Sequence, residues 1–458
     1  MRILELTTLQ EIADWTHGTR VGSADITSFS TDSRRQGERC LFIPIVGERF
    51  DAHDFIPQAI ENGAAAVLSH RKDERYPVPA VYVEDTAQAL LDLAGGYRAQ
   101  FPCPVVAVTG SVGKTTTKEM LAAVLSEGFQ TLKTPENKNN TIGMPQAALQ
   151  MDANTEAAVF EMGMNHFGEI SKMAACGQPD IAVITNIGTS HIGNLGSREG
   201  ICKAKLEITE GLAERGGCAV LNADEPLLWE KRETFDFPVF WFGIDNKQAA
   251  IRAAAIREDE TGTAFDLCWK RARYPMRLNL PGRHNVMNAL AAAAAGFVVG
   301  LDADQIAEGL AKLSSSDTHA RVYVREGYHI YEDVYNASPD AMVAVLRSFG
   351  RLFVGEHKVA VLGGMLELGD YAREGHYKAG FAAAKVANSL YIYGPNAEDT
   401  REGALGGGMP EDHIFIYETQ EELAGDLHDE VLPGDALLFK GSHAMNMGRV
   451  IELFFAKE

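Results

Sequence analysis

Short apolar runs alternate with helix-favouring stretches along most of this 458-residue chain. Runs typical of buried strands occur at 105–108, 157–160, 181–187 and 219–221, and helical patterns separate them. This alternation predicts a parallel sheet with helices on both faces. At 249–280 the apolar positions recur with period two, which predicts antiparallel hairpins attached to that sheet.

Two further α/β units flank the central one. Residues 1–83 combine short strands, Gly-rich turns and a helical stretch at 53–62, which predicts a small α/β module. A polar, Ser-rich segment at 310–322 is a plausible linker. Beyond it, helical patterns separate strand patterns at 329–334, 358–362, 390–393, 414–417 and 436–439. We therefore predict a three-domain α/β protein, with domains at 1–83, 84–315 and 316–458, the last a Rossmann-like doubly wound sheet.

Composition and charge exclude several classes of partner. The formal charge of −21 argues against a nucleic-acid partner, because phosphate neutralisation needs a basic surface. The six cysteines are scattered without a C-x-x-C pair, which favours reduced cytosolic thiols. No apolar run approaches the roughly 18 residues of a membrane helix. These features predict a cytoplasmic protein without a membrane segment.

The segment GSVGKTT at 110–116 predicts a phosphate-binding loop (P-loop) between a strand and a helix. Its glycines permit a tight turn, and the helix directs free N–H groups at an anion. Lys114 can reach the terminal phosphates, and Thr115 can ligate Mg²⁺. The strict Walker pattern needs a glycine where Val108 stands, so the loop is a shortened version. The predicted nucleotide contacts are Gly110, Ser111, Val112, Gly113, Lys114, Thr115 and Thr116.

Two polar residues follow strands of the predicted central sheet. Glu161 follows the run at 157–160, and His191 follows the run at 181–187. Ligands of open α/β sheets bind beyond the carboxyl ends of the strands, so these groups could hold hydrated Mg²⁺ together with Thr115. The alternatives are structural, since Glu161 could cap a turn and His191 could be a core histidine.

Lys205 lies on an otherwise apolar helix face with Ile201, Ile208 and Leu212. Spacing alone favours snorkelling, in which the aliphatic stem packs and the amine reaches water. The alternative is a buried amine with a lowered pKa, able to react with CO₂ and ligate metal as a carbamate.

Asparagines cluster in two further segments. Asn137, Asn139 and Asn140 lie in a loop that could contact the acceptor or the phosphates, although such clusters are typical of turns. Asn285 and Asn288 open an Ala-rich helix, where their amides could read an adenine edge or cap the helix.

The motifs and their order along the sequence resemble those of the Mur ligases over nearly the whole chain. The matching segments are GSVGKTTTKEM, NKNNTIGMP, EMGMNHFGEI, TNIGTSHIGNLGS and KAKLEI. The resemblance implies a monomeric, ATP-dependent amide ligase of peptidoglycan precursor synthesis. The Lys-Glu-Met tail of the loop implies that D-alanyl-D-alanine is joined to UDP-N-acetylmuramoyl-tripeptide.

The same resemblance implies the cofactors and the catalytic residues. The cofactors are ATP, two Mg²⁺ ions and a CO₂-derived carbamate on Lys205. The metal site comprises Thr115, Glu161, His191 and Lys205, and the catalytic groups are Lys114, Lys205, Glu161 and His191.

Resemblance also extends to both terminal units. TDSRRQGERCLFIPIVGERFDAHDF is similar to the family's uridine-nucleotide module, and EDVYNASPDAM is similar to a segment on the nucleotide side. The implied nucleotide contacts include Asp333 and Arg321. The implied substrate contacts are Thr31, Asp32, Ser33, Arg34, Arg49, Asp51, His53, Asn137, Asn139 and Asn140. The positions that depart from the family pattern are Ala52, Glu136, Val334, Ser338, Gly364 and His443.

Two rival interpretations stay open at this point. One is another ligase of the same superfamily, of the folylpolyglutamate or cyanophycin type, although the N-terminal segments weigh against it. The other is a phosphate-loop switch or transport ATPase, whose mark would be ATP turnover without an amine acceptor.

Overall fold

The computed structural model of the chain describes residues 2–47, 49–259, 261–313 and 320–456, and side chains from residue 6 onward. Three sheets organise the described residues, in agreement with the predicted three-unit α/β fold. The predicted boundary at 83/84 falls between a strand and a helix, and the one at 315/316 lies outside the described residues. Both boundaries stay predictions.

The N-terminal sheet has six strands in the order β1-β3-β4-β5-β6-β2. Its four inner strands are parallel, and β1 and β2 pair antiparallel at the two edges. A 3₁₀ turn and helix α2 occupy the helical stretch predicted at 53–62. The elements are β1 (Arg2–Thr8), α1 (Leu9–Trp15), β2 (Thr19–Val21), β3 (Asp25–Ser30), β4 (Cys40–Phe42), α2 (Ile56–Glu61), β5 (Ala64–Ser69) and β6 (Ala80–Tyr82).

The central sheet has nine strands in the order β15-β14-β13-β12-β11-β10-β7-β9-β8. Strands β7 to β13 and their helices build a parallel sheet, and β13, β14 and β15 form antiparallel hairpins at one edge, as the period-two pattern predicts. The elements are α3 (Thr86–Arg98), β7 (Val105–Thr109), α4 (Lys114–Leu125), β8 (Thr131–Lys133), α5 (Gly143–Ala148), β9 (Ala157–Glu161), α6 (Glu169–Gly177), β10 (Ile181–Ile184), α7 (Ile192–Leu195), α8 (Arg198–Leu206), α9 (Leu212–Arg215), β11 (Cys218–Asn222), α10 (Pro226–Trp229), β12 (Val239–Gly243), β13 (Ile251–Asp259), β14 (Gly262–Trp269), β15 (Ala272–Leu278), α11 (Arg283–Val299) and α12 (Ala303–Lys312).

Strand β10 ends three residues earlier than the pattern predicts, at Ile184. The next residues leave the sheet because they bond to the loop after β7. Ser111 N–H donates to the carbonyl of Asn186 (3.1 Å), and the side chain of Asn186 bonds to Val112. Tertiary hydrogen bonds therefore override the apolar pattern at 185–187.

Small residues bring three helices of the central domain close together. A Cβ atom at Gly309 of α12 would lie only 2.6 Å from the Cα of Val124 in α4. A Cβ atom at Gly296 of α11 would lie 2.9 Å from the Cγ1 of Val124. The alanines of α11 between Ala289 and Ala295 are buried. This packing holds α4, and with it the predicted phosphate loop, firmly against the sheet.

The C-terminal sheet has six strands in the order β16-β17-β21-β18-β19-β20, all parallel except β16. The linker predicted at 310–322 is wrong at both ends. The buried Leu310 belongs to α12, and Arg321 begins β16. Residues 314–319 of the predicted linker lie outside the described residues. The elements are β16 (Arg321–Arg325), β17 (Tyr328–Asp333), α13 (Pro339–Leu352), β18 (Lys358–Gly363), α14 (Ala372–Ala383), β19 (Ser389–Tyr393), α15 (Ala397–Gly406), β20 (Ile414–Tyr417), α16 (Gln420–Glu430), β21 (Ala436–Lys440) and α17 (Met447–Phe454).

The C-terminal domain docks on the central domain through polar contacts. Asn137 donates a hydrogen bond to the hydroxyl of Tyr335, and Arg351 Nη1 donates to Glu258 Oε1 (3.2 Å). Residues that follow strands of both sheets therefore face one cleft. In the part of the chain that the structure describes, none of the helices has the length and apolar character needed to cross a membrane.

Candidate functional site

The cleft between the central and C-terminal domains is a cavity of about 1040 Å³. The phosphate loop and residues at and after the ends of β9 and β10 line one wall. Residues at and after the end of β17, residues of α13 and Lys440 at the end of β21 line the other. The sequence places polar groups at these strand ends, and the structure brings them together. Among the predicted site residues, the lining includes Ser111, Val112, Gly113, Lys114, Thr115, Thr116, Asn137, Asn139, Asn140, Glu161, His191, Lys205, Asn285, Asn288 and Asp333.

Two glycines shape the turn of the phosphate loop. Gly113 has φ +80°, a left-handed conformation that glycine adopts at little cost, and a Cβ there would lie 2.6 Å from Asn288 Oδ1. A Cβ at Gly110 would lie 1.8 Å from Thr185 Oγ1. Both positions therefore require glycine, as the motif predicts.

The phosphate loop is anchored to the residues that follow β10. Val112 N–H donates to Asn186 Oδ1 (3.0 Å), and the Val112 carbonyl accepts from Thr185 Oγ1 (2.7 Å) and Asn186 Nδ2 (2.9 Å). Ser111 Oγ accepts from Gly188 N–H (2.8 Å). The loop is therefore preorganised, and the first N–H groups of α4, which have no partner within their own helix, face the cleft.

Lys114 supplies a positive charge to this anion-binding turn. Its Nζ donates to the carbonyls of Gly110 (2.8 Å) and Ser111 (3.4 Å), so the side chain folds back along the loop. Burial lowers the pKa of Lys114, and the carboxylate of Glu161 opposes that shift. An anion bound by the loop would meet this amine directly.

Glu161 ends strand β9 as a fully buried carboxylate. Its Oε1 accepts from Thr115 Oγ1 (3.1 Å) and Asn139 Nδ2 (2.7 Å). Its buried Oε2 has no hydrogen-bond partner among the described residues. A buried polar atom without a partner is unusual, and a carboxylate next to a hydroxyl offers the hard oxygen donors that Mg²⁺ prefers. The residues present thus fit a divalent cation.

His191 and Lys205 complete this end of the cleft. Burial and the charge of Lys114 lower the pKa of His191, which favours the neutral imidazole. Its Nδ1 lies 2.9 Å from Oε2 of Glu367 in the C-terminal domain. Lys205 is 2% exposed, and burial together with Lys114 lowers its pKa well below the ordinary value. The snorkelling favoured by spacing alone is therefore wrong, because the helix face of Lys205 packs into the domain.

Asparagines on both sides of the phosphate loop have distinct partners. Asn139 bonds to Glu161, and Asn137 bonds across the cleft to the C-terminal domain. Asn140 Oδ1 accepts from the backbone N–H of Gly143 (2.8 Å), the first residue of α5. Asn288 donates to Asn285 Oδ1 (3.4 Å) and supports the loop beneath Gly113.

The facing wall carries a buried ion pair. Lys440 Nζ lies 2.6 Å from Asp333 Oδ2 and donates to the carbonyl of Asn336 (2.9 Å). His284 lies on the opposite wall, and burial lowers its pKa to about 4. The charge of Asp333 opposes this shift, and the charge of Lys440 reinforces it. Arg321 is exposed on β16 and does not line the cleft, whereas its neighbours Ala320 and Val322 do. Its nucleotide role stays a prediction.

A second cavity, of about 550 Å³, lies in the N-terminal domain. Arg34 Nε donates to Asp32 Oδ1 (2.9 Å). The hydrogen bonds that Asp32 accepts from the side chain and the backbone of Arg34 lower its pKa to about 2. Ser33 Oγ donates to Gln58 Oε1 (2.7 Å). The predicted substrate segment thus forms a polar rim on an aromatic pocket. The lining residues are Thr31, Asp32, Ser33, Arg34, Phe42, Phe50, Ala52, Phe55 and Gln58.

Asp51 and His53 lie behind this pocket and outside its lining. Asp51 Oδ1 lies 2.6 Å from His53 Nδ1, and Asp51 Oδ2 accepts from Arg71 (2.8 Å). His53 Nε2 accepts from the backbone N–H of His70 (3.2 Å). This network holds the pocket wall at Ala52. Arg49 is exposed and does not line the pocket.

The sequence prediction did not include four charged residues that contact side chains or loops of the site: Lys118, Asp340, Glu367 and Lys440. A signal existed for Lys118, which lies one turn after Lys114 on the same face of α4. Lys440 ends an apolar strand of the C-terminal sheet, the position where ligand contacts are expected. Asp340 and Glu367 act through contacts between domains, for which the sequence carries no local signal.

Family models match three consecutive parts of the chain. They are described as the Mur ligase family catalytic domain (residues 25–98), the Mur ligase middle domain (108–296) and the Mur ligase glutamate ligase domain (318–443).

Several curated relatives that are similar over nearly the full length share one name. The UDP-N-acetylmuramoyl-tripeptide–D-alanyl-D-alanine ligase of Bacillus subtilis is 38% identical over 97% of each chain. The crystal structure of MurF from Acinetobacter baumannii has 31% identity and a TM-score of 0.90, with 99% of this chain and 100% of that chain covered. MurF ligase from Thermotoga maritima in complex with ADP has 30% identity and a TM-score of 0.84, covering 93% and 96%.

Proposed function

This chain belongs to the Mur ligase family, and we propose that it joins D-alanyl-D-alanine to UDP-N-acetylmuramoyl-tripeptide, consuming ATP. The products are the UDP-muramoyl-pentapeptide, ADP and phosphate. The observation that carries this proposal is the cleft in which Lys114, the Thr115–Glu161 pair and Lys205 converge. A relative that is 38% identical over 97% of this chain carries the name of this reaction.

The reaction needs an activated acyl group, because a carboxylate is a poor acyl donor. The terminal carboxylate of the tripeptide attacks the γ-phosphorus of ATP, and the bond to the β-γ bridging oxygen breaks to release ADP. The amine of D-alanyl-D-alanine then attacks the acyl phosphate, loses a proton and displaces phosphate. Lys114 and the N–H groups of α4 offset the repulsion between the anionic nucleophile and the triphosphate.

Thr115, Glu161, His191 and a carbamylated Lys205 would hold two Mg²⁺ ions in this proposal. Bound there, the ions would neutralise the phosphate oxygens as charge shifts to the leaving group. Glu161 Oε2 supports the metal role, because it is buried and accepts no hydrogen bond, although Lys118 Nζ lies 3.6 Å away. The lowered pKa of Lys205 supports the carbamate, since the neutral amine is the form that reacts with CO₂.

The C-terminal domain would protect the acyl phosphate from water. It covers the cleft through contacts such as Asn137 with Tyr335, and Lys440 and Asp333 form the facing wall. Exclusion of water matters because an exposed acyl phosphate hydrolyses before the amine attacks.

The remaining parts of the proposal concern the first substrate and the assembly. The N-terminal cavity with Arg34 on its rim would hold the uridine nucleotide, whose anionic diphosphate suits an arginine. We also propose that the protein works as a monomer. A ligase that consumes ATP is expected to work in the cytoplasm.

The product distinguishes this function from ATP hydrolysis alone. We expect mass spectrometry of a reaction with ATP, Mg²⁺, UDP-muramoyl-tripeptide and D-alanyl-D-alanine to show the UDP-muramoyl-pentapeptide. L-alanyl-L-alanine as acceptor serves as a matched control. ADP without the pentapeptide would reject the proposal and favour a phosphate-loop ATPase.

A further inference from the structure

Residues 187–191, here called the histidine loop, lie between β10 and α7 and end at His191. The central domain holds the start of this loop. Ile187 N–H donates to Glu225 Oε2 (3.2 Å), and Arg198 Nη2 donates to the Ile187 carbonyl (2.7 Å). Arg198 in turn pairs with Glu225 (2.8 Å), so the anchor is a closed network of two charged side chains.

The C-terminal domain holds the other half of the histidine loop. Thr189 donates twice to Oδ2 of Asp340, from its backbone N–H (2.7 Å) and from its hydroxyl (2.8 Å). A Cβ atom at Gly188 would lie 2.5 Å from the same oxygen, so glycine permits this close approach. Beyond it, His191 faces Glu367 from a second segment of the same domain.

The histidine loop also touches the phosphate loop. Gly188 N–H donates to Ser111 Oγ (2.8 Å), and Ser190 Oγ donates to the Ser111 carbonyl (3.3 Å). Asp340 bonds to the residue between these two contacts. A shift of Thr189 would therefore move both His191 and the support of the phosphate loop.

We propose that Asp340 is a positioning residue that places the histidine loop when the C-terminal domain is docked. Both hydrogen bonds to its carboxylate are charge-assisted and converge on one oxygen, so they form only when α13 is seated against the loop. Docking would thus set the position of His191 for the transfer step. This inference rests on the proposed ligase function.

Three variants test the role of Asp340 in steady-state kinetics of the full-length protein. We expect Asp340→Ala to lower kcat about 10- to 100-fold and to leave the KM for ATP within about 3-fold, because it misplaces a group used in the transfer step. Asp340→Asn should retain most of kcat, since one amide oxygen can accept both hydrogen bonds. Glu374→Ala is the matched control, because Glu374 is also a first-turn carboxylate, on α14, but pairs with Lys378 of its own helix.

A double-mutant cycle separates positioning from general destabilisation. Asp340→Ala should lower Tm more than Glu374→Ala, because it removes two charge-assisted hydrogen bonds, but both variants should stay folded at the assay temperature. Thr189→Val should lower kcat in the same direction as Asp340→Ala. The pair Thr189→Val with Asp340→Ala should be no slower than Asp340→Ala alone, because Asp340→Ala already removes the hydroxyl hydrogen bond that Thr189→Val removes.

Specific outcomes would overturn the inference. They are a kcat for Asp340→Ala equal to that of Glu374→Ala, an Asp340→Asn variant as slow as Asp340→Ala, or additive losses in the double variant. Absence of pentapeptide formation by the unaltered protein would instead reject the proposed function, so the two failures are distinguishable.

Discussion

The ammonium group of Lys118 lies 3.6 Å from Oε2 of Glu161, and neither side chain has any exposure to solvent. Lys118 Nζ also donates to the Glu136 carbonyl (2.7 Å) and lies 3.2 Å from Glu119 Oε1. One buried cation therefore compensates the carboxylate that faces the phosphate loop and fixes the loop of asparagines beside it.

Replacement of Lys118 by methionine should destabilise the protein by about 3 to 5 kcal/mol, because it leaves the buried carboxylate of Glu161 without its ion-pair partner. Urea unfolding measures this loss. Lys133→Met is the control, since Lys133 pairs with Glu119 from an exposed position and should cost under about 1 kcal/mol. Equal unfolding free energies for the two variants would contradict the compensating role of Lys118.

Glu136 has φ +51°, a left-handed conformation that is costly for a residue with a side chain. Glu136→Gly should raise the unfolding free energy by about 0.5 to 1 kcal/mol, the relief of strain exceeding the entropy lost by glycine. Glu136→Ala keeps the strain and should give no such gain. A glycine variant less stable than the alanine variant would refute this explanation.

Loss of the Lys205 amine should abolish turnover if a carbamate forms there. Lys205→Ala should regain part of its activity with added formate or acetate, and Lys203→Ala, an exposed lysine on the same helix, should need no rescue. Because the pKa of Lys205 is lowered, its amine stays neutral to a lower pH than free lysine, and acidification should remove the carbamate.

A direct signal for the carbamate comes from NMR with ¹³C-enriched bicarbonate. The unaltered protein should show a carbamate resonance that is absent from Lys205→Ala and that declines as the pH falls. Full activity of Lys205→Ala without additives would exclude the carbamate.

Arg34 should matter for the first substrate alone. Arg34→Ala removes a cation from the rim of the N-terminal cavity, so the KM for UDP-muramoyl-tripeptide should rise about 10-fold or more while the KM for ATP stays unchanged. Arg35→Ala provides the comparison, because Arg35 is the exposed neighbour and lies outside the cavity lining. Equal KM values for both variants would dismiss the binding role of Arg34.

Local sequence signals predicted the parts of the site that depend on local structure. The strand, glycine turn and helix around Lys114 follow from neighbouring residues, and the convergence of Thr115, Glu161 and His191 follows from the rule on strand ends. The burial of Lys205 does not follow from its helix, because the packing of other segments decides it. Similarly, Thr189 and Asp340 are 151 residues apart, and only the docked domains show their contact.

The central claim, amide ligation driven by ATP, is tested most directly by ADP release in four mixtures. The protein with Mg²⁺ and ATP receives UDP-muramoyl-tripeptide, D-alanyl-D-alanine, both or neither, and Lys114→Ala is run in parallel. Sustained ADP release should occur only with both substrates, and the Lys114→Ala variant should release none in any mixture. Sustained release without the dipeptide, or undiminished release by Lys114→Ala, would contradict the account.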